Sequence, residues 1–173
     1  MDIVNAVRER IEQLCEERYI TLNKLANISA IPPSTLKNIM YGASKNPKIL
    51  TVKMLCDGLN ITLTEFFNTP VFNNGKQYIK TQDIREEKTE ESIINTVTAV
   101  KYRILQLCES NHIAIYKLEE LTSVPTVTIN NILYGRSKNP KLLTIKIICD
   151  GLGITLAEFF DTDDFNHLEQ EIK

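Results

Sequence analysis

The chain has no tryptophan and only two histidines and four cysteines among its 173 residues. No two cysteines have the Cys-x-x-Cys spacing of a metal site, and neither His112 nor His167 has a partner at ligand spacing. Paired catalytic carboxylates, Ser/His/Asp or Cys/His arrangements and glycine-rich phosphate loops are also missing from the sequence. These absences argue against an enzyme, and we expect no metal and no cofactor.

Long apolar runs are missing too. No stretch approaches the length of a bilayer-spanning helix, and residues 1–10 lack the pattern of a secretory signal peptide. We therefore expect a cytoplasmic protein with no membrane partner. The four cysteines lie in apolar helical patterns, so we expect buried thiols acting as small hydrophobes, with disulfides as the alternative. They are Cys15, Cys56, Cys108 and Cys149.

The most informative feature present is an internal repeat. Residues 31–67 return as residues 124–160, shifted by 93 positions without a gap. Tyr-Gly, Ser-Lys-Asn-Pro-Lys, Cys-Asp-Gly-Leu, Ile-Thr-Leu and Glu-Phe-Phe are identical in both copies. One globular unit has therefore been duplicated. We predict domains at 1–68 and 96–162, a polar linker at 69–95 and an acidic tail at 163–173.

The linker and the tail allow alternatives. Residues 71–72 and 78–79 flank an Asn-Gly pair and could form a short hairpin, or the segment could be an irregular linker. Phe72 and Phe165 match at the repeat offset, so each domain could extend to pack that ring. We expect the tail to be a solvated, frayed end, with a short helix as the alternative.

Apolar periodicity predicts five short helices and no strand in each copy. The first helix carries the stripe Val4, Val7, Ile11 and Leu14. Thr21 can cap the second helix, whose inward residues should be Leu22, Leu25 and Ile28 in copy one and Ile115, Leu118 and Leu121 in copy two.

Proline and glycine mark the remaining helix ends. The third helix should begin at about Pro33 or Thr126 and end at the following Tyr-Gly. The fourth should be closed by Gly58 or Gly151. A fifth, short helix should start with a capping box, at residues 62–65 and again at 155–158.

The net charge of −2 conceals two basic segments. Residues 29–56 and 121–149 contain no aspartate or glutamate, and each segment carries four cations. Local positive charge of this kind is what binding to phosphates needs. The cations are Lys37, Lys45, Lys48 and Lys53 in copy one, and Arg136, Lys138, Lys141 and Lys146 in copy two.

Two short helices joined by a tight turn inside a five-helix unit resemble the lambda-repressor-like (Cro-type, XRE) helix-turn-helix family. The matching residues in copy one are 21–26 (TLNKLA), 31–36 (IPPSTL), 38–42 (NIMYG) and 59–67 (LNITLTEFF). The resemblance covers both copies and implies two tandem all-α helix-turn-helix domains. At the turn, Ala30 and Ser123 replace the family's usual glycine, which would cost about 1–2 kcal/mol if the backbone there is left-handed.

The resemblance also implies which residues meet DNA. The second helix of each pair would lie in the major groove with its N-terminal residues at base edges. Those residues are Pro33, Ser34, Thr35, Lys37 and Asn38, and in copy two Thr126, Val127, Thr128, Asn130 and Asn131. The loop that follows would contact phosphates through Ser44, Lys45, Asn46 and Lys48, and through Arg136, Ser137, Lys138, Asn139 and Lys141. Tyr41 and Tyr134 should face outward from the second helix of each pair, but we expect them to pack beside the core rather than to read DNA.

We therefore expect a sequence-specific regulator of transcription that binds double-stranded DNA, its tandem domains acting as a covalent pseudo-dimer. The alternative is a protein-interaction or antitoxin-like module with weak or no DNA binding, and a homodimer or another protein partner is open in either case. The copies differ most where bases would be read, PPSTLKN against PTVTINN. Two half-sites or the loss of reading by one copy would both explain that difference.

Overall fold

A computed structural model of the chain describes residues 2–73 and 94–172. The predicted all-α class is confirmed, because the described residues form helices, and their only strand-like feature is one isolated bridge. Domain 1 holds α1–α6 and domain 2 holds α7–α12. The helices are α1 Ile3–Glu17, α2 Leu22–Ile28, α3 Pro33–Met40, α4 Ile49–Leu59, α5 Leu63–Phe67, α6 Pro70–Asn73, α7 Thr96–Ser110, α8 Lys117–Thr122, α9 Thr126–Leu133, α10 Leu142–Leu152, α11 Leu156–Phe160 and α12 Asp163–Asn166.

Each domain has a sixth, single-turn helix beyond the five that were predicted. Its phenylalanine, Phe72 or Phe165, is buried against the Phe-Phe pair of the preceding helix, with ring centroids 4.9–6.0 Å apart. The prediction that each domain extends to pack this ring is confirmed. The hairpin is wrong for residues 71–72, which are helical, while residues 78–79 lie outside the described part of the chain.

The predicted helix starts are largely confirmed. Thr21 caps α2 by accepting from the backbone N–H of Lys24, and both capping boxes form, at Thr62 with Glu65 and at Thr155 with Glu158. In a capping box the two residues satisfy each other's backbone N–H groups at the helix start. These bonds fix the position of the short helix that carries the buried Phe-Phe pair.

The helix ends at Gly58 and Gly151 were wrongly predicted. Both glycines are helical, and α4 and α10 end one residue later, at Leu59 and Leu152, where the next residues, Asn60 and Gly153, take the left-handed conformation. The two interior glycines are needed for packing instead. A Cβ at Gly58 would lie 2.8 Å from Ser29 Cα, and one at Gly151 would lie 2.8 Å from the Leu121 carbonyl oxygen. Glycine therefore allows each long helix to cross the helix-turn-helix backbone closely.

The two domains are joined by a set of reciprocal contacts, which we call the junction. The Ile49 N–H donates to the Pro140 carbonyl at 3.0 Å, and the equivalent Leu142 N–H donates to the Pro47 carbonyl at 3.0 Å. These bonds flank an antiparallel bridge between Lys48 and Lys141. Equivalent residues thus contact each other in both directions, as in a two-fold interface between identical subunits.

Aromatic packing continues the junction below the bridge. The Phe67 and Phe160 rings, which occupy the same position in the two copies, stack with centroids 5.1 Å apart and are fully buried. The Thr64 hydroxyl adds a bond to the Phe160 carbonyl oxygen at 3.0 Å. The cores of the two domains are therefore continuous through this ring pair.

The C-terminal tail does not match the expected solvated end. After α12, the Glu169 carbonyl oxygen accepts from Lys53, and the Glu171 N–H donates to Asp57 at 2.8 Å. The Glu171 carboxylate also accepts from the Thr96 hydroxyl. Burial of a Lys–Asp pair is costly unless further hydrogen bonds satisfy the charges, and the tail supplies them. The acidic end of the chain is thus held on α4 of domain 1.

The four cysteines are buried free thiols, as predicted. Within the described residues, no group of three or more His, Cys, Asp or Glu side chains is arranged to hold a metal ion. The same part of the chain contains no helix that is both long and apolar enough to cross a membrane.

Candidate nucleic-acid interface

The turn between the two helices of each pair is left-handed. Ala30 and Ser123 have φ values of 51° and 57°, so the left-handed backbone that the sequence left open is present in both copies. Neither residue is glycine, and a left-handed Cβ costs about 1–2 kcal/mol. Pro32 and Pro125 follow two residues later as the N-cap residues of α3 and α9, and neither offers a side-chain cap of its own.

The helices α3 and α9 are anchored by one apolar face. Leu36 and Ile39 are buried in α3, and Ile129, Ile132 and Leu133 are buried in α9. The opposite face of α3 is open to solvent, whereas that of α9 is more covered. The predicted base-reading residues Pro33, Ser34, Lys37, Asn38 and Val127 are exposed, and Thr35, Thr126, Thr128, Asn130 and Asn131 are half-buried.

Glycine ends both helices, as predicted. Gly42 and Gly135 have φ values of 88° and 68°, which only glycine adopts without strain. In domain 1 the end of α3 is also held by Arg8, whose Nε donates to the Ile39 carbonyl oxygen at 2.6 Å. A cation at a helix C-terminus interacts favourably with its unpaired carbonyls. Nothing in the sequence pattern indicates this contact, since Arg8 lies on another helix.

The expected placement of Tyr41 and Tyr134 is wrong. Tyr41 is 78% exposed and Tyr134 is 71% exposed, although both were expected to pack beside the core. Each follows its helix directly and precedes the left-handed glycine, so its side chain leaves the apolar face. Both rings are therefore on the surface beside the exposed residues of α3 and α9, where their hydroxyl groups are free to meet a ligand.

The loop after each helix combines a hydrogen-bonded backbone with exposed cations. The Ser44 N–H donates to the Asn38 carbonyl at 2.8 Å, and the Ser137 N–H donates to the Asn131 carbonyl at 2.7 Å. These bonds hold the start of the loop against the helix. The side chains that follow point to solvent, namely Lys45, Lys48, Arg136, Lys138 and Lys141.

Two of the predicted phosphate-contacting residues also belong to the junction. The Asn46 side-chain oxygen accepts from the Leu143 N–H, and the Asn139 side-chain oxygen accepts from the Leu50 N–H, both at 3.2 Å. The Asn-Pro pairs therefore do more than turn the chain. Sequence reasoning missed this role, and the only available signal was that Ser-Lys-Asn-Pro-Lys is identical in both copies.

An open cleft of about 600 Å³ lies beside the junction on the side of domain 2. One wall is α9, through Thr128 and Asn131, and the other is the paired loops of the two domains. Three cations line the cleft, Lys48, Arg136 and Lys141, and no carboxylate is among its lining residues. Its composition fits an anionic ligand such as a phosphodiester backbone.

The first helix of the pair differs between the domains. In domain 2, α8 begins only at Lys117 and has no side-chain cap, since Ala114 stands where domain 1 has Thr21. The predicted inward position of Leu121 is wrong: this residue is 50% exposed, whereas the next residue, Thr122, is buried, as is its equivalent Ser29 in domain 1. The Thr122 hydroxyl donates to the Leu118 carbonyl, which accounts for a polar residue in that position.

A carboxylate that sequence reasoning did not single out lies at the start of α9. Glu119 accepts a hydrogen bond from the Thr126 N–H at 3.0 Å and another from the Thr126 hydroxyl. These two donors lower the pKa of the Glu119 carboxyl, so the group is an anion at neutral pH. In domain 1 the equivalent residues are Ala26 and Pro33, which cannot form either bond.

The two helix-turn-helix segments consequently differ in charge. Residues 18–56 of domain 1 contain no acid, whereas the equivalent residues 111–149 of domain 2 contain Glu119 and Glu120. The second helix of the pair carries Lys37 in domain 1 and the neutral Asn130 in domain 2. Domain 1 therefore presents the more positive surface.

Comparison with known families gives one match in two places. The model of the Cro/C1-type helix-turn-helix DNA-binding domain matches residues 10–70 and again residues 103–164. Each match contains one helix pair with its left-handed turn, α2 and α3 in the first and α8 and α9 in the second. No curated protein and no solved structure matches the chain.

Proposed function

The chain belongs to the Cro/C1-type helix-turn-helix family of DNA-binding domains, and on that premise we propose a sequence-specific regulator of transcription that binds double-stranded DNA. The two domains act together as a covalent pseudo-dimer, with α3 and α9 in the major groove. A partner of this kind implies an intracellular place of action and a role in binding rather than catalysis. Whether the protein activates or represses transcription follows from where its DNA site lies relative to a promoter.

The observation that carries the proposal is the reciprocal junction. Dimeric helix-turn-helix proteins bind two half-sites about one helical turn, roughly 34–36 Å, apart, and their two-fold symmetry matches that of the site. Here the bridge between Lys48 and Lys141 and the stacked pair Phe67 and Phe160 give two domains of one chain the same reciprocal relation. Because the domains are covalently linked, binding by one raises the effective concentration of the other.

The side chains divide into two groups by the contacts that they can make. Asparagine can bond bidentately to adenine, lysine can donate to guanine, and valine can touch a thymine methyl group, which suits Asn38, Lys37 and Val127 for base edges. The exposed lysines of the loops, Lys45 and Lys138, suit phosphates. Tyr41 and Tyr134 add hydroxyl donors at the boundary between the two groups.

The cleft, which no carboxylate lines, extends the proposed phosphate-binding surface to the junction between the two domains. Lys48 and Lys141 are directly opposite each other in the bridge, and like charges in that position destabilise a pair of strands. A phosphate backbone lying across the junction offsets this repulsion. We therefore expect the backbone between the two half-sites to follow the cleft.

The test is selection of random duplex DNA by the purified protein at low salt, with sequencing of the bound pool. Two enriched half-sites at one fixed spacing are the expected result. A pool with one half-site would contradict the pseudo-dimer, and a pool with no enrichment would contradict sequence-specific binding.

A paired substitution tests the assignment of the loops. In the Lys45→Ala/Lys138→Ala variant, loss of two phosphate contacts should weaken binding by about 10- to 100-fold near physiological salt and reduce the salt slope by about 2. The loss should be similar on specific and unrelated duplexes. A Lys101→Ala variant, which removes a cation from α7 outside the helix pair, is the control and should change affinity by less than about twofold. A changed sequence preference in the loop variant would contradict a phosphate role.

A second function is favoured by the exposed apolar side chains of domain 2. Tyr116, Leu121 and Val127 are 64%, 50% and 65% exposed around α8 and α9, where domain 1 has Asn23, Ile28 and Ser34. Exposed apolar side chains of this kind are typical of a surface that contacts another protein or a second copy of the chain. Concentration-dependent self-association that a Tyr116→Asn/Val127→Ser variant abolishes would establish this function alongside DNA binding.

A further inference from the structure

The two domains are not equivalent at the start of the helix that enters the groove. Glu119 reaches from α8 to Thr126, the first residue of α9, and accepts from both its N–H and its hydroxyl. In domain 1 the same two positions are Ala26, which is fully buried, and Pro33, which has no N–H. The start of α3 is therefore free of charge, and the start of α9 carries an exposed carboxylate.

The carboxylate has two opposite effects. It stabilises α9, because it satisfies a backbone N–H and lies at the positive end of the helix dipole. It also puts a negative charge at the end of the helix that must approach the DNA backbone, where the phosphates are negative. Among the described ion pairs, the neighbouring Lys117 pairs with Glu120 at 2.9 Å, and Glu119 has no cationic partner. The charge of Glu119 is therefore not neutralised within domain 2.

The rest of α9 does not compensate for this charge. Its helix has no cation, since Asn130 stands where α3 has Lys37, and its exposed first turn carries Val127 where α3 has Ser34. The loop after α9 carries the exposed cations Lys138 and Lys141, which domain 1 matches with Lys45 and Lys48, and Arg136 as an addition. The start of α9 is thus the one of these places where domain 2 adds a negative charge that domain 1 lacks.

We propose that Glu119 sets an unequal division of DNA affinity, so that domain 1 supplies most of the binding free energy and domain 2 binds its half-site weakly. This inference rests on the proposed binding of double-stranded DNA by both domains. It predicts a site with one strongly and one weakly specified half. Occupancy of the DNA site would then depend on small changes in the affinity of domain 2. Two domains that both bound their half-sites strongly would not show this sensitivity.

The experiment measures affinity of the full-length chain for the selected duplex and for two derivatives, each with one half-site scrambled. The Lys37→Ala variant shows which half-site belongs to domain 1. Of the two helices α3 and α9 only α3 carries a lysine, so this variant should lose sequence preference in the half-site that domain 1 contacts. In the wild type, scrambling the half-site of domain 1 should cost more affinity than scrambling that of domain 2. Glu119→Gln keeps a hydrogen-bond acceptor for Thr126 and removes the charge. It should tighten binding to the intact site by about fivefold at low salt and increase the cost of scrambling the second half-site.

Glu109→Gln is the matched control, because it removes one exposed negative charge from α7 of the same domain. It should change affinity by less than about twofold, as expected for a charge outside the interface. Glu119→Ala, measured together with its unfolding midpoint, separates the charge from the cap: it should also tighten binding but lower stability. An effect of Glu119→Gln no larger than that of Glu109→Gln would overturn the inference. Weaker binding with loss of a cytosine preference would also overturn it, because Glu119 would then read a base. Failure of the wild type to enrich any sequence would instead refute the proposed function itself.

Discussion

The two domains share a core and a junction but differ in how they cap their paired helices. Domain 1 caps the first helix through Thr21 and leaves α3 without a side-chain cap. Domain 2 leaves α8 uncapped and satisfies the start of α9 through Glu119. Each copy therefore has one side-chain cap in its helix pair, placed on opposite helices. Duplication kept the residues that determine packing and left the helix starts free to take different functions.

The largest expected effect tests whether the shared junction couples the two domains. Phe67→Ala should destabilise the protein by about 3–5 kcal/mol, because the ring is fully buried. Since Phe67 stacks on Phe160 across the junction, protection of domain 2 amides from hydrogen exchange should fall as well. Phe66→Ala is the control, because its described ring contacts lie within domain 1. Equal loss of protection in domain 2 for both variants would show that the stacked pair does not couple the domains.

The next effect tests whether both domains depend on the same close helix crossing. Gly58→Ala and Gly151→Ala should each destabilise by about 1–3 kcal/mol, because the new methyl group would meet backbone atoms at 2.8 Å. In an open helix the same change stabilises by about 1 kcal/mol, so the sign of the effect is diagnostic. Urea unfolding of the two variants checks this, and a gain in stability for either would show that its crossing can widen without cost.

Cys56 and Cys149 occupy equivalent positions, and they test whether the two cores bury a thiol to the same extent. Burial raises the pKa of the Cys56 and Cys149 thiols above the ordinary value of 9.0, so the folded state keeps both thiols protonated. The unfolded chain loses these protons above pH 9. Below pH 9 these thiols should therefore leave the free energy of unfolding independent of pH. Above it, the free energy of unfolding should fall by about 1.4 kcal/mol per thiol for each further pH unit. Unfolding of Cys56→Val and Cys149→Val variants between pH 8 and 10 checks this. Slopes that differ between the two variants would show that the cores are not equivalent.

The smallest effect concerns the exchanged caps. Thr21→Ala should cost about 1 kcal/mol and lower amide protection in the first turn of α2, because the Lys24 N–H loses its acceptor. The converse change, Ala114→Thr, should extend α8 toward its N-terminus by supplying the cap that domain 2 lacks. Hydrogen exchange of each first turn is the measurement. No gain of protection from Ala114→Thr would mean that the later start of α8 has a cause other than the missing cap.

Sequence reasoning predicted the helices well because their signals are local. A helix cap bonds to a group only a few residues away in the sequence, so the spacing of the residues alone indicates the helix ends. This holds for Thr21, for the two capping boxes and for the Tyr-Gly pairs. The repeat then identified two copies of one fold. The left-handed turn at Ala30 and Ser123 stayed open at the level of the sequence, because these residue types disfavour it.

The errors concern contacts between residues that are distant in sequence. Gly58 and Gly151 looked like helix ends, but the reason for glycine is a helix from another part of the chain. Asn46 could not be recognised as a junction residue, because its partner, Leu143, is 97 residues away. For the base and phosphate contacts themselves, the sequence and the fold give only expectations.

The attachment of the C-terminal tail to α4 has a consequence for synthesis of the chain. Lys53 and its partner Glu169 are separated by 116 residues. At ribosomal speeds of roughly 5–20 residues per second, domain 1 waits on the order of 10 s before the segment that covers Lys53 and Asp57 has been made. During that interval the face that receives Phe160 is open as well. The first domain must therefore remain folded, and must avoid pairing with a neighbouring nascent chain, until its own second half arrives.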